Sequence, residues 1–516
     1  MQHETKNNRI TIASLLITLG VIYGDIGTSP LYVMKAICGN KPISELVVVG
    51  SISCVIWTIV ILTTIKYVWI TLQADNQGEG GIFSLYALVR KYGKRLVIPT
   101  MIGAATLLAD GIITPAISVT SAMEGLKMKP AFADLNIVPF VLIILFLIFF
   151  SQRLGTQKVG KGFGPIMVIW FSMLMVLGII HIIKLPAILN AFNPMYAYQL
   201  LKNYPGGFWL LGAVFLCTTG AEALYSDLGH CGKKNIRITW IFVKISLLCN
   251  YLGQGAWLLM HKNQHLAGRN PFFELMPEWF LLPGIVIATL SACIASQALI
   301  TGSFTLINEA MNLNFWLRVN VKQPSESKGQ IYIPSVNNIL WIGCSIMVII
   351  FQTSAAMESA YGLAITLTML TTTFLLGFFI KYKLKWNSVI TTMILLLFFI
   401  LELSFFTANV VKFAEGGYIL IIVAALFFSI MYITYFGRKI NNKYTKFVPF
   451  ENYTQTIHQL STDTAIPQFA SHLIYLTKAN NKSQIEERII QSIINKKPKR
   501  ANTYWFVHIN RTNNPY

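Results

Sequence analysis

Apolar residues along this 516-residue chain gather into many unbroken runs of about 20, such as residues 137–150 with their flanks and residues 419–435. Neither strict alternation nor a single helical stripe describes them. A helix apolar on every side and about 20 residues long can cross a hydrocarbon layer about 30 Å thick. Runs and breakers predict twelve spans, near residues 11–37, 44–73, 97–125, 135–152, 163–184, 207–228, 236–260, 280–310, 336–354, 358–380, 387–409 and 414–436. That divides the chain into a short N-terminus (1–10), a membrane domain (11–436) and a C-terminal region (437–516). The pattern excludes a single anchor on a globular domain. It also excludes an outer-membrane barrel, whose strands alternate over about 10 residues.

Composition agrees: 54% of residues are apolar and 12% charged, against roughly 25% charged in a soluble domain. The net charge of +20 would suggest nucleic-acid binding in a soluble chain, but the 41 Lys and Arg lie mainly in connections and in the tail. No nucleic-acid polymer is therefore expected as a partner. Connections following even-numbered spans, such as those with Arg90, Lys91, Lys94 and Arg95, or Lys233, Lys234 and Arg237, carry the excess of basic residues over the opposite loops. The positive-inside bias then places both termini in the cytoplasm, and a removed signal peptide is not expected. The seven cysteines lack paired metal-site spacing and read as small buried thiols. His230, His261 and His265 fall at span ends or in loops, as surface histidines do. No Walker A sequence or redox-cofactor motif occurs, so neither an ATP motor nor an enzyme is indicated.

Two spans are interrupted. The first contains Gly24, Asp25, Gly27 and Pro30, and the sixth contains Thr219, Gly220 and Glu222. Glycine and proline release backbone groups that hydrocarbon cannot satisfy, so each break needs protein, water or an ion against it. Paired breaks five spans apart fit a five-plus-five inverted repeat with a transport site near the midplane; the plainer account is a packing kink. An intramembrane carboxylate costs about 2.5–3.5 kcal/mol on insertion scales and should face a cavity or a partner. Asp25, Asp110 and Glu222 are the deepest acids, and Thr114 and Ser118 follow Asp110 at intervals of four on one helical face. Each hydroxyl alone would simply bond its own backbone; aligned with an acid, the set forms an inward polar stripe. Oxygen groups beside unwound backbone suit a hard monovalent cation.

The segments GVIYGDIGTSPLY (20–32), DNQGEGGIFSLYAL (75–88), ADGIITPAISVTSAMEGL (109–126) and GAEALYSDLGHCG (220–232) closely resemble the signature segments of the KUP/HAK/KT potassium uptake permeases. The resemblance covers all twelve spans and enters the tail. It implies an all-α membrane fold of the amino acid/polyamine/cation superfamily type, with discontinuous helices 1 and 6 and two extra helices. It further implies potassium uptake across a bacterial plasma membrane, coupled to protons. By the same resemblance the potassium-binding residues are Asp25, Tyr32, Asp110, Thr114, Ser118, Thr219, Glu222 and Tyr361, the last in ESAYGLAIT. Glu222, with Asp110 as second choice, would carry the proton. The transported species are then potassium and a proton, and no resident cofactor is expected.

Family members usually continue well beyond residue 516. The stretch 437–516 reads as part of a small cytoplasmic α/β region, with strand-like runs at 472–476 and 504–509 and a helix around 484–494. It carries about eight net positive charges, suiting a surface near an anionic leaflet. In related proteins such domains support dimers, and some bacterial potassium importers are inhibited by cyclic di-AMP. Two alternatives remain open on sequence. An amino-acid transporter of the same superfamily would bind a substrate carboxylate that Asp25 and Glu222 repel. A potassium channel would need a TVGYG-like filter, which does not occur.

Overall fold

The computed structural model describes residues 10–509 apart from 77, 155, 324–330, 480, 482 and 496, and it leaves the side chains of 154–161, 230 and 442 undescribed. Residues 1–9 of the expected N-terminus, Lys328, and the side chains of Lys158, Lys161 and His230 thus lie outside the described residues. The chain separates into two compact units, Met1–Met431 and Tyr432–Tyr516.

Among the described residues, ten helices are long and apolar enough to cross a membrane: α2 (Glu45–Gln73), α3 (Lys94–Met128), α5 (Gly162–Lys184), α6 (Gly207–Ser226), α7 (Lys233–Met260), α8 (Glu278–Asn312), α9 (Pro334–Phe351), α10 (Ser354–Leu384), α11 (Ser388–Phe413) and α12 (Gly417–Asn441). An eleventh, α1, is made of two arms, Ile12–Ile22 and Gly24–Leu31, bent by 68°. The fourth expected span differs. Its helix α4 (Val138–Ser151) has 14 residues, below the roughly 17 that span a bilayer. Pro139 fixes its first turn, and a tighter turn over Gln152–Leu154 ends its regular ladder.

Local chemistry sets several helix starts. The Thr11 hydroxyl accepts from the Ser14 amide while the Ser14 hydroxyl receives the Thr11 amide, a reciprocal cap. Thr353 and Asn387 accept from the first-turn amides Ala356 and Val389 to begin α10 and α11. Burial then sorts the helices. In their most apolar stretches α2, α3 and α6 are 78% buried within the protein, whereas α11 is 22% buried. Val389, Ile390, Met393, Leu396, Ile400 and Leu403 of α11 are exposed, an apolar surface that a soluble monomer would avoid and lipid accepts. The polar chemistry therefore collects on the inner helices α1, α2, α3, α6 and α10.

The breaks are real, and protein groups fill them. In α1 the bend falls at Tyr23 (φ −98°, ψ 14°), one residue before Gly24. Gly24 instead permits close packing: a Cβ there would lie 2.5 Å from Ala295 Cα. Gly27 keeps a helical amide bond to the Tyr23 carbonyl, and Pro30 sits in the first turn of a tighter helix over Ser29–Leu31. The carbonyls of Gly27, Pro30 and Leu31 accept hydrogen bonds from Trp170 Nε1 (3.0 Å), Gln254 Nε2 (3.0 Å) and Asn270 Nδ2 (2.7 Å). In α6 the ladder tightens over Phe215–Thr218, Thr219 turns extended, and Gly220 takes φ +83° before helix resumes at Ala221.

The seven cysteines are unbridged, five of them buried. In the C-terminal unit, β1 (Phe447–Pro449) pairs antiparallel with β3 (Gln484–Glu486), and β2 (Gln468–Leu476) pairs parallel with β4 (Arg500–Val507). Helix α13 (Glu451–Thr462) and helix α14 (Glu487–Ile494) supply Ile457 and Ile490, which pack on Ile485. The helix expected from residue 484 thus begins at 487, because the three preceding residues pair with β1.

Candidate functional site

The break in α1, the break in α6 and the inner faces of α3 and α10 bring the sequence-predicted residues into one buried region. Asp25, Asp110 and Glu222 are 4%, 4% and 7% exposed, and Tyr32, Thr114, Ser118, Thr219 and Tyr361 are fully buried. These residues form three groups.

Asp25 begins the second arm of α1 and lies against the α6 break; a Cβ on Gly220 would sit 3.1 Å from Asp25 Oδ2 and 2.7 Å from the Ile26 amide. Glycine at this positive φ therefore lets the two broken helices touch. Neither carboxylate oxygen of Asp25 has a hydrogen-bond partner among the described residues. Burying a carboxylate without a partner is costly, so this position makes sense only with a charge or proton to meet it.

Hydroxyls from both broken helices cluster next to it. Ser29 Oγ and Thr219 Oγ1 are 2.9 Å apart, and the Tyr32 hydroxyl lies 3.4 Å from Thr219 Oγ1 and 3.5 Å from Ser29 Oγ. Thr219 also donates to its own Leu216 carbonyl at 3.0 Å, so the plain backbone-bonding account holds there in part. Thr28 Oγ1 joins α1 to α3 through Ser118 Oγ at 3.4 Å.

Asp110, on α3, is held differently. The Thr114 hydroxyl donates to Asp110 Oδ1 at 2.5 Å and lies 2.9 Å from the Tyr361 hydroxyl of α10. Thr114 thus bonds the side chain one turn back rather than the backbone carbonyl, as the aligned acid and hydroxyl required. Asp110 and Glu222 line one cavity with Thr218, Gly220, Thr368 and Met369.

Glu222 makes no direct bond to the other predicted residues. Its Oε1 accepts from the Tyr67 hydroxyl of α2, and Tyr67 leads to a fully buried ion pair, Lys66 Nζ to Glu402 Oε1 at 2.5 Å. Sequence reasoning missed Ser29, Tyr67, Lys66 and Glu402. Ser29 lies inside the recognised segment 20–32, and Lys66 and Glu402 each interrupt an apolar run, the signal that singled out Asp110. At one end of the helices, Glu124 of α3 accepts from Lys35 Nζ (2.9 Å) in the short helix Val33–Cys38 that follows α1, from the Ser354 amide (2.7 Å) and from the Ser354 hydroxyl (2.6 Å), tying that short helix, α3 and α10 together. Glu358, one turn before Tyr361, is also buried, and its Oε1 has no partner among the described residues.

Comparison with known proteins identifies the family. A family model for the K+ potassium transporter integral membrane domain matches residues 12–439. The "Probable potassium transport system protein Kup" of Flavobacterium johnsoniae is 54% identical, over 100% of this chain and 79% of the relative. That of Clostridium perfringens is 50% identical over 100% and 80%. A crystal structure of a mutant Eremococcus coleocola manganese transporter aligns with 82% of this chain and 93% of that one at 12% identity and a TM-score of 0.45. The family match over most of the chain, together with multi-pass apolar helices, makes this a multi-pass plasma-membrane protein that transports potassium, and the chain belongs to the KUP/HAK/KT family of potassium transporters.

Proposed function

We propose that the protein imports potassium by secondary transport coupled to protons, with both termini in the cytoplasm and potassium and a proton as the only transported species. No resident cofactor takes part. The observation that carries the reading is the pair of partnerless, buried Asp25 oxygens set against two broken helices. A hard monovalent cation exchanges its water for such oxygens. Asp25 supplies the charge; the hydroxyls of Tyr32, Thr219 and Ser118 complete one side, and Asp110, Thr114 and Tyr361 the other. Their placement on α1, α3, α6 and α10, with breaks five helices apart, supports a five-plus-five inverted repeat.

Glu222 carries the proton in this reading, and Asp110, in the same cavity, is the second choice. Coupling has an energetic use. One charge moving through 100 mV supplies about 2.3 kcal/mol, roughly 50-fold accumulation; adding a proton doubles this to about 4.6 kcal/mol, roughly 2,000-fold. In the basic C-terminal unit we place a homodimer contact and a response to cyclic di-AMP, tested by cross-linking and nucleotide titration of the purified protein. An amino-acid substrate is disfavoured because the orphaned Asp25 carboxylate would repel a carboxylate group. Potassium uptake into liposomes, with and without an inward proton gradient, tests the proposal: gradient-dependent accumulation is expected, whereas single-channel current steps would replace it with a channel.

A further inference from the structure

Lys66 lies in the middle of α2, in a stretch (Ile59–Ile70) wound more widely than an α-helix, a geometry that often marks functional positions. Its ammonium is completely buried and has three donors and no acceptor. Three acceptors meet it: Glu402 Oε1 of α11 at 2.5 Å, the Tyr67 hydroxyl at 3.0 Å and the Met369 carbonyl of α10 at 3.2 Å. Glu402 Oε2 in turn accepts from the Thr373 hydroxyl at 2.7 Å. Both ions are therefore matched.

The direction of these bonds has a consequence for Glu222. Because the ammonium can only donate, the Tyr67 oxygen must accept from it, and the single Tyr67 hydrogen is left for Glu222 Oε1. An oxygen that always receives a donated hydrogen is the bare oxygen of the carboxyl group. That leaves Glu222 Oε2 as the oxygen able to take up a proton or meet an ion.

We infer that Lys66, paired with Glu402, is a positioning residue: it fixes Tyr67 as a one-way donor and so restricts proton binding on Glu222 to Oε2. The inference rests on the reading of Glu222 as the proton-coupling group and adds to it residues from helices outside the expected ion site. The titratable and charged groups facing Glu222 are Tyr67 and Lys66 from α2, Glu402 from α11, Asp110 from α3 across the shared cavity, and Tyr225 further along α6 itself. From α10 it meets Thr368, Met369 and the Thr372 hydroxyl, which do not titrate.

The test is the pH profile of potassium uptake by the full chain in liposomes, for wild type, Tyr67→Phe, the double variant Lys66→Met with Glu402→Gln, and Glu222→Gln. Tyr67→Phe removes one hydroxyl without leaving a buried charge, and the double variant removes both charges together. A carboxyl group that loses a donated hydrogen bond holds its proton more tightly. Both variants are therefore expected to move the half-maximal pH of uptake to the alkaline side by about one unit, a tenfold change in proton affinity. Combining them should add nothing, and neither should act in a Glu222→Gln background. If Glu222→Gln alters the profile while either variant keeps the wild-type one, the inference is overturned and the reading of Glu222 stands. A wild-type profile in Glu222→Gln overturns both. Should the double variant fail to assemble, Lys66→Leu with Glu402→Met, which likewise offers Tyr67 no donor and leaves no buried charge, carries the same expectations.

Discussion

Asp25 and Glu222 are both buried acids beside a helix break, yet their surroundings are opposite. Asp25 presents two oxygens that no described protein group bonds. Glu222 gives one oxygen to Tyr67, which is backed by Lys66, Glu402 and Thr373. The unpartnered acid is suited to a cation that comes and goes, because no protein donor has to be displaced. The acid with one bonded oxygen is suited to a proton, because its remaining oxygen has a fixed orientation. Asp110 lies between these cases, with the Thr114 hydroxyl on one oxygen and the Tyr361 hydroxyl close behind it.

The largest effect should come from Asp25→Asn, which keeps the shape and removes the charge. Potassium uptake is expected to fall by roughly 100-fold or more, the loss of about 3 kcal/mol of binding, while the protein still elutes as a folded species. Unchanged uptake affinity would take Asp25 out of the site. Lys66→Ala alone should act on stability rather than on ion binding. It strands Glu402 without its counterion in a fully buried place, a change that costs about 3–5 kcal/mol and should appear as a lower unfolding temperature. Neutralising Glu402 in the same protein should recover much of that loss, which a purely steric role for Lys66 would not allow.

Gly220→Ala probes where the two broken helices touch. Its added Cβ meets the Ile26 amide at 2.7 Å on a backbone with φ +83°, so destabilisation of about 1–3 kcal/mol is expected together with reduced uptake. An alanine variant with wild-type thermal stability would mean that the breaks do not need such close contact. The smallest effect involves an acid outside the membrane. Burial pushes Glu486 of the C-terminal unit up, but the Thr477 hydroxyl (2.6 Å) and the Lys478 amide (2.5 Å) outweigh it and hold this carboxyl below its ordinary range. A lowered folded value contributes stability above the unfolded value near 4.3 and loses it as the pH falls through the folded one. Glu486→Gln should therefore flatten the acid limb of that unit's unfolding curve, measured by circular dichroism. An unaltered limb would show that its donors do not favour the charged form.

Much of the fold was legible because it depends on local pattern. Apolar runs of about 20 residues gave the long helices, and Gly, Pro and Thr marked the two breaks. The short α4 was less legible, because its flanking residues are apolar enough to extend the run although the ladder ends at Ser151. In the site, Asp110, Thr114 and Tyr361 converge as expected, Thr114 and Tyr361 coming from positions 247 residues apart. The Lys66–Tyr67–Glu222 connection was not legible, since it is made only when α2, α6 and α11 pack side by side. Spacing within one helix cannot reveal a bond between Lys66 and a residue 336 positions away.

Proton-gradient-driven potassium accumulation in liposomes containing the Glu222→Gln protein tests the division of labour between the two acids most directly, with rubidium exchange measured in the same vesicles. The account predicts that exchange persists, because the Asp25 region still holds the ion, while accumulation driven by the proton gradient and its pH dependence disappear. Retained proton-driven accumulation would contradict it and move the proton to Asp110 or elsewhere; loss of exchange as well would make Glu222 an ion ligand.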